Sequence, residues 1–282
     1  MKYAYVTLVM RGDNYTPGAL TLAHSLRRTG TKHDLVCMVT DDVEGVEALA
    51  QVFDHVRLVK YLTYNTWPLW NKKSEARYGS WMSMSLTKYR CLEFAEYDKI
   101  FFLDADVLVH RNMDRVFKMR TPGGTFSNTG KAHGEMVYPA DVENMARGKF
   151  YTCVASSLLL SPGVDVYRKF LAYLDKSYRE QNNMLGIKDM KSGIDEQLIS
   201  FFYSFRLRLT WTNIGNSFQS CHWVKPDLTM QPPFLTHYVK EIKPWEDDSR
   251  YREWWDAARL AINPDNKRFF DAVRGRRRIK TG

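Results

Sequence analysis

The run Lys99-Ile-Phe-Phe-Leu-Asp-Ala-Asp-Val107 decides how this 282-residue chain is read. Lys99 to Leu103 is almost wholly apolar, the pattern of a strand buried on both faces in a parallel sheet. It stops abruptly at Asp104-Ala105-Asp106. In open α/β sheets, ligands bind beyond the carboxyl ends of the strands. Two carboxylates at i and i+2 converge on one cation if the strand end turns. Hard cations such as Mg²⁺ and Mn²⁺ are usually held by one or two carboxylates plus a diphosphate. The competing reading is a turn whose aspartates cap backbone N–H groups. Asp-x-Asp alone is a weak motif; its place between two apolar runs makes it more specific.

Upstream, the sequence keeps a strand–helix rhythm. YAYVTLVM (3–10) reads as a buried strand, ALTLAHSLRRTG (19–30) as a helix stopped by Gly30, and DLVCMVT (34–40) as a second strand. VEGVEALAQVF (43–53) then reads as a helix and HVRLVKYL (55–62) as a strand, which together give an α/β fold with a parallel sheet. Residues 61–82, with Trp67-Pro68-Leu69-Trp70, Arg77 and Trp81, break the rhythm as a lid or acceptor loop. MSLTKYRCLEFAEY (84–97) reads as a helix leading into the Asp-x-Asp strand.

Downstream the pattern is less regular. The glycines of residues 120–150 suggest loops around one short strand. CVASSLLL (153–160) and RLRLTW (206–211) read as strands. VYRKFLAYLDKSYRE (166–180) and SRYREWWDAARLAI (249–262) read as helices. SGIDEQLISFFYSF (192–205) reads as a helix capped by Ser192, with Asp195 and Glu196 in its first turn. FLTHYV (234–239) reads as a late strand, followed by an exposed turn, IKPWEDD (242–248).

Composition narrows the function classes. Hydrophobic residues make up 44% and aromatics 14%, too rich for a disordered chain. No apolar run approaches the roughly 18 residues of a membrane span. The N-terminal run has no cleavage pattern, so it reads as a strand and the protein as cytoplasmic. Cys37, Cys91, Cys153 and Cys221 form no Cys-x-x-Cys pair and read as buried thiols rather than a zinc site. The chain has 41 Lys+Arg against 32 Asp+Glu, a net charge of +9. Five of those positive charges lie between Arg274 and Lys280, in a tail that is either solvated or a nuclear signal. The remaining excess suits an anionic small ligand.

His237, late in its strand, is a third ligand candidate, although most such histidines are structural. With Asp104 and Asp106 it would give an N/O set suited to Mn²⁺. Lys243, six residues on, could reach a diphosphate.

At this point the sequence resembles the nucleotide-sugar glycosyltransferases of family 8, the group of glycogenin and the plant galactinol synthases. Four stretches carry the resemblance. YVTLVMRGDNYTPGALTLAHSL (5–26) is similar to the family's first strand, nucleotide loop and helix. LTKYRCLEFAEYDKIFFLDADVLVHRNMDRVF (86–117) is similar to its Leu-Thr-Lys helix and Asp-x-Asp strand. SGIDEQLISFF (192–202) is similar to its acid-Gln helix start, and HYVKEIKPW (237–245) to its late His and Lys-Pro-Trp.

The resemblance implies one Rossmann-like nucleotide-sugar domain of the glycosyltransferase A type, with a mixed, mostly parallel sheet flanked by helices. That domain would span residues 1–245, as a nucleotide half (1–110) and an acceptor half (111–245), with a helix and basic tail at 246–282. It implies a UDP-sugar donor and Mn²⁺, with Mg²⁺ as a substitute. Asp104, Asp106 and His237 would hold the metal, and Ala105 would lie against the nucleotide between the aspartates. Lys243 would meet the diphosphate, and Leu8 and Tyr15 the uracil. Lys88, Asp195 and Gln197 would lie near the donor sugar, with Glu196 an alternative to Asp195.

The implied reaction is retaining transfer of a hexose, from UDP-glucose or UDP-galactose, to a hydroxyl acceptor (glycan, polyol or protein). There are departures from the family pattern. Val154-Ala155-Ser156 stands where the family has an Asn that contacts the sugar, and Lys240 stands for a glycine after the late His. Arg77 is offset from the family's arginine. A homodimer is compatible with the sequence. The alternatives are a catalytically weak UDP-sugar binder and a metal-dependent phosphotransferase or nuclease, which would want more clustered acids.

Overall fold

A computed structural model describes residues 1–64, 79, 81–126, 129–148, 150–180, 182, 184–187, 192–215, 218–221, 233–240 and 242–272. Trp67 to Trp70, Arg77, the tail from Arg274 to Lys280 and the side chain of Cys221 lie outside the described residues. In chain order, the first half holds β1 (Tyr3–Val9), α1 (Thr16–Arg28), β2 (Asp34–Val39), α2 (Val46–Ala50), β3 (His55–Leu58), β4 (Lys99–Leu103) and β5 (Val107–Val109). The second half holds β6 (Gly123–Phe126), β7 (Met136–Val137), α3 (Pro139–Arg147), β8 (Cys153–Leu160) and α4 (Val164–Glu180). These are followed by α5 (Ile194–Phe201), β9 (Trp211–Asn213), β10 (Gln219–Cys221), β11 (Leu235–His237) and α6 (Arg252–Ala261). The fold is α/β with mixed, mostly parallel strand pairing, as expected.

The chain divides into two compact units. One gathers Ala4–Val59, Leu103–Arg115 and Ser217–Gly282. Here β1 pairs in parallel with β2, and β2 with β3. β11 runs parallel to β10 and antiparallel to β5, with His237 opposite Val107. Helix α1 buries Leu20, Leu22, Ala23 and Leu26, and Thr21 returns its hydroxyl to Pro17 O at 2.8 Å. The apolar residues anchor the helix, because burying each of these leucines is worth about 1.5–3 kcal/mol.

The other unit gathers Met1–Tyr3, Lys60–Phe102 and Val116–Asn216. Its strand order runs β4-β8-β6-β9-β7. β8 is antiparallel to β6, β6 parallel to β9, and β9 antiparallel to β7. Phe170, Phe201, Phe202 and Trp211 fill its core.

Local readings differ from the structure in five places. The Leu-Thr-Lys segment is a 3-10 helix from Ser85 to Glu93 rather than an α-helix. Its residues are buried on nearly every side, so tertiary contacts rather than one amphipathic stripe fix it. The glycine-rich stretch holds α3, which the sequence reading missed. Pro139 opens that helix, the Asp141 carboxylate accepts the Tyr138 N–H at 2.9 Å, and Val142, Met145 and Ala146 face inward. The strand expected at 206–211 is confined to Trp211–Asn213, because Arg208 turns the chain with a φ of 55°. Ser192 does not cap α5; its hydroxyl accepts the Thr152 N–H at 2.7 Å, and Gly193 takes the cap position. The turn after β11 is not exposed, since Trp245 is 1% accessible.

Candidate metal and donor site

The first unit carries the acidic centre. Beyond β4 the chain turns, with Val107 N–H donating to Asp104 O at 3.2 Å, so both aspartates end on the same side. β5 and β11 then bring His237 alongside, and Tyr238 N–H donates to Asp106 O at 3.0 Å. One ligand atom from each of Asp104, Asp106 and His237 lies within 4.8 Å of the other two. His237 Nε2 is 3.3 Å from Asp106 Oδ1 and 3.9 Å from Asp104 Oδ2. Asp106 Oδ1 is buried and makes no hydrogen bond. A buried carboxylate oxygen without a donor, beside a second carboxylate and an imidazole, fits a divalent cation of the Mn²⁺ or Mg²⁺ kind.

Lys243 closes the centre from the turn after β11. Its ammonium donates to Asp106 Oδ2 at 2.6 Å and to Tyr238 O at 3.0 Å. Burial by itself would raise the Asp106 carboxyl. The charge of Lys243 and then of His237 outweighs it and holds that carboxyl well below its ordinary range. Burial works the other way on Lys243, but Asp106 foremost and Tyr15 next hold its ammonium above the usual lysine range. Tyr15 ends a short 3-10 turn, Gly12–Tyr15. Its ring meets Trp245 edge-on at 5.3 Å, and burial foremost pushes its hydroxyl up to about 12. Leu8 sits half-buried on β1, and Ala105 is 4% exposed between the two acids.

Beneath this centre lies a floor that the sequence did not reveal. A Cβ on Gly18, near the start of α1, would stand 2.4 Å from Ala105 O and 2.6 Å from the Trp245 ring. Only glycine lets α1 approach the Asp-Ala-Asp backbone this closely. The sequence signals were Pro17-Gly18 at a helix start and the Lys-Pro-Trp triplet.

The other unit holds Lys88, Asp195, Glu196 and Gln197. Lys88 Nζ is 3.2 Å from Asp195 Oδ2, and both side chains are nearly buried. Glu196 points elsewhere, its carboxylate accepting the Gly193 N–H at 3.0 Å and the Ala155 N–H at 3.3 Å. Burial and then the Asp195 charge push Glu196 up to about 7, with the two N–H groups acting against them. Gln197 is buried and donates to Ser192 O at 2.9 Å. Of the two acids, Asp195 carries the lysine contact and Glu196 fastens the start of α5 to β8. Val154 lies on β8 opposite Thr125. Cys37, Cys91 and Cys153 are buried free thiols whose ionisation burial opposes.

The family model described as glycosyl transferase family 8 matches residues 7–134. An uncharacterized protein, R707, of Acanthamoeba polyphaga mimivirus is 26% identical over 253 residues, covering 86% of this chain and 82% of that protein. Glycogenin-1 of Caenorhabditis elegans is 36% identical over 119 residues, 42% of this chain and 27% of that protein. Alignments with the relatives that carry an activity in their names span 18–36% of those proteins' lengths. Among solved structures, the galactosyltransferase LgtC, in complex with donor and acceptor sugar analogues, superposes with a TM-score of 0.57 at 16% identity. That superposition covers 94% of this chain and 99% of LgtC, a likeness of fold. No helix among the described residues is long and apolar enough to cross a membrane. The matched segment and the named relatives make residues 7–134 similar to glycosyltransferase family 8.

Proposed function

We propose that this chain is a family 8 glycosyltransferase that moves a hexose from UDP-glucose or UDP-galactose to a hydroxyl acceptor, with retention and with Mn²⁺. The observation that carries the reading is the convergence of Asp104, Asp106 and His237 beside the Lys243 ammonium. Two carboxylates and an imidazole would hold the metal. When bound, the metal supplies Lewis-acid neutralisation of the charge that builds on the departing diphosphate. Lys243 adds a fixed positive charge at the same end. Charge set in place before reaction is often the largest catalytic contribution. Leu8 and Tyr15 would receive the uracil, and Ala105 would lie against the nucleotide.

Lys88, Asp195 and Gln197 would serve the donor sugar. Asp195, 3.2 Å from Lys88 Nζ, is the acid available to a sugar carbon; Glu196 is committed to two backbone N–H groups. Because Val154 replaces the family's Asn, the sugar contacts on β8 differ from the family pattern. The catalytic domain is taken as residues 1–245.

The test is UDP release from UDP-glucose and UDP-galactose, with Mn²⁺, with Mg²⁺ and with chelator. Metal-dependent release that falls at least about 100-fold in Asp106→Asn supports the reading. Full activity in that variant refutes the metal assignment. Tight UDP binding without turnover would instead mark a donor-binding protein.

A further inference from the structure

Lys243 could only work if its backbone is held still, and the neighbouring turn has few bonds of its own. Inside the turn, Lys243 N–H donates to the Glu246 carboxylate at 2.8 Å, and Glu246 N–H donates to Lys243 O at 3.0 Å. Asp247 N–H also donates to Pro244 O at 3.2 Å, and further support comes from the start of α6. The Tyr251 hydroxyl donates to Ile242 O at 3.1 Å, and Trp255 Nε1–H donates to Pro244 O at 2.9 Å. These are the carbonyls on either side of Lys243. Tyr251 holds the cap position at the start of α6, and Trp255 N–H donates to Tyr251 O at 3.1 Å, which ties the two residues together at that end of the helix.

The same end of the helix reaches the other partners of the lysine. The Tyr251 ring stands perpendicular to Tyr238 at 5.6 Å, and Tyr238 supplies the carbonyl that accepts the Lys243 ammonium. Trp254 packs on Trp245 at 5.6 Å and on Trp255 at 5.2 Å. All three tryptophans are at most 1% exposed.

We propose that Tyr251 and Trp255 are positioning residues for Lys243, so that α6 is a working part of the diphosphate end of the donor site. This places a function on a segment beyond residues 7–134, the part matched by the family model, and beyond the core expected from the sequence. It rests on the reading of Lys243 as the diphosphate lysine. Neither residue touches the nucleotide in this proposal; each acts by fixing a carbonyl next to the lysine. Misplacing a catalytic group by an ångström is enough to cost about 100-fold in rate.

The experiment uses the full chain with Mn²⁺ and compares binding of UDP and UMP by calorimetry. The variants are Tyr251→Phe, which keeps the ring and removes only the donor, Trp255→Phe, which removes the donor together with part of the indole, and the pair. UDP should weaken about 5–10-fold in the pair, with UMP changing less than about twofold, and the loss should vanish in a Lys243→Ala background. Unchanged UDP affinity, equal weakening of UDP and UMP, or a loss that persists without Lys243 would each overturn the proposal. If the paired variant does not fold, the single variants carry the same comparison. A wild-type chain that binds no UDP overturns the donor reading and this inference with it. A wild type that binds while the variants stay unchanged overturns this inference alone.

Discussion

Replacing Lys243 with methionine keeps an apolar stem of similar length and deletes the ammonium. The bonds lost are those at 2.6 Å to Asp106 Oδ2 and at 3.0 Å to Tyr238 O. Asp106 is 5% exposed, so solvent cannot take over the vacated place. Removing one member of a buried pair costs about 3–5 kcal/mol, because the other charge stays behind. His237 still stands 3.3 Å from Oδ1 and softens the loss, which puts the expectation near the lower end, about 3 kcal/mol at neutral pH.

The sign depends on pH. In the wild type the native carboxyl titrates below its unfolded value of 3.8. The stabilisation from the pair is therefore fully present above that value and is lost as pH falls through the lower native one. In the variant the burial contribution loses its main opponent, and the native carboxyl moves up. Stability then declines as pH rises past the unfolded value. The two stability curves should diverge from about pH 4 upward and level off near neutrality. Guanidinium unfolding in chelator at about pH 4.5 and about pH 7 measures this. A difference below about 1 kcal/mol at neutral pH, or one that does not change between the two pH values, would refute the account of the pair.

Two further outcomes follow from the same kind of reasoning. Glu196 is raised from 4.5 to about 7, so its contribution to stability is present below the lower value and fades as pH climbs through the higher one. The wild type should lose about 3 kcal/mol over that window and Glu196→Gln should not, so parallel denaturation profiles for the two proteins would dismiss the shift. Gly18→Ala would add helix propensity worth about 1 kcal/mol at an ordinary helical site. Here the new Cβ meets the Ala105 carbonyl at 2.4 Å, so the substitution should instead destabilise by about 1–3 kcal/mol. It should also weaken Mn²⁺ binding, and a raised Tm would contradict the close approach.

The sequence displays the parts of this molecule in which local and tertiary preferences agree. Buried parallel strands read as unbroken apolar runs, so β1, β2 and β4 could be located, and an acidic stop after such a run marks a strand end. The place of His237 beside Asp106 shows in the sequence only as an isolated histidine late in a strand, because the β5–β11 pairing that brings them together is antiparallel and non-local. Helix α3 was missed because the glycines around it outweighed the spacing of Val142, Met145 and Ala146. Trp245 looked exposed because its neighbours are charged, and nothing in its own segment announces the glycine gap that receives it. The division of labour between Asp195 and Glu196 depends on which backbone N–H groups each can reach. Adjacent acids in a helix's first turn look alike until the facing strand is in place.

The bond between Lys243 and Asp106 spans 137 residues of sequence. Contacts of such separation carry a large loop-closure entropy and tend to form late in folding. The acidic centre is therefore a register of completed folding. Until β11 has zipped onto β5, the chain offers two aspartates on a strand end and no third ligand. A nascent or partly unfolded chain then has little with which to hold a divalent cation. Affinity for a divalent cation would then be a property of the finished topology, and binding would favour that topology by mass action.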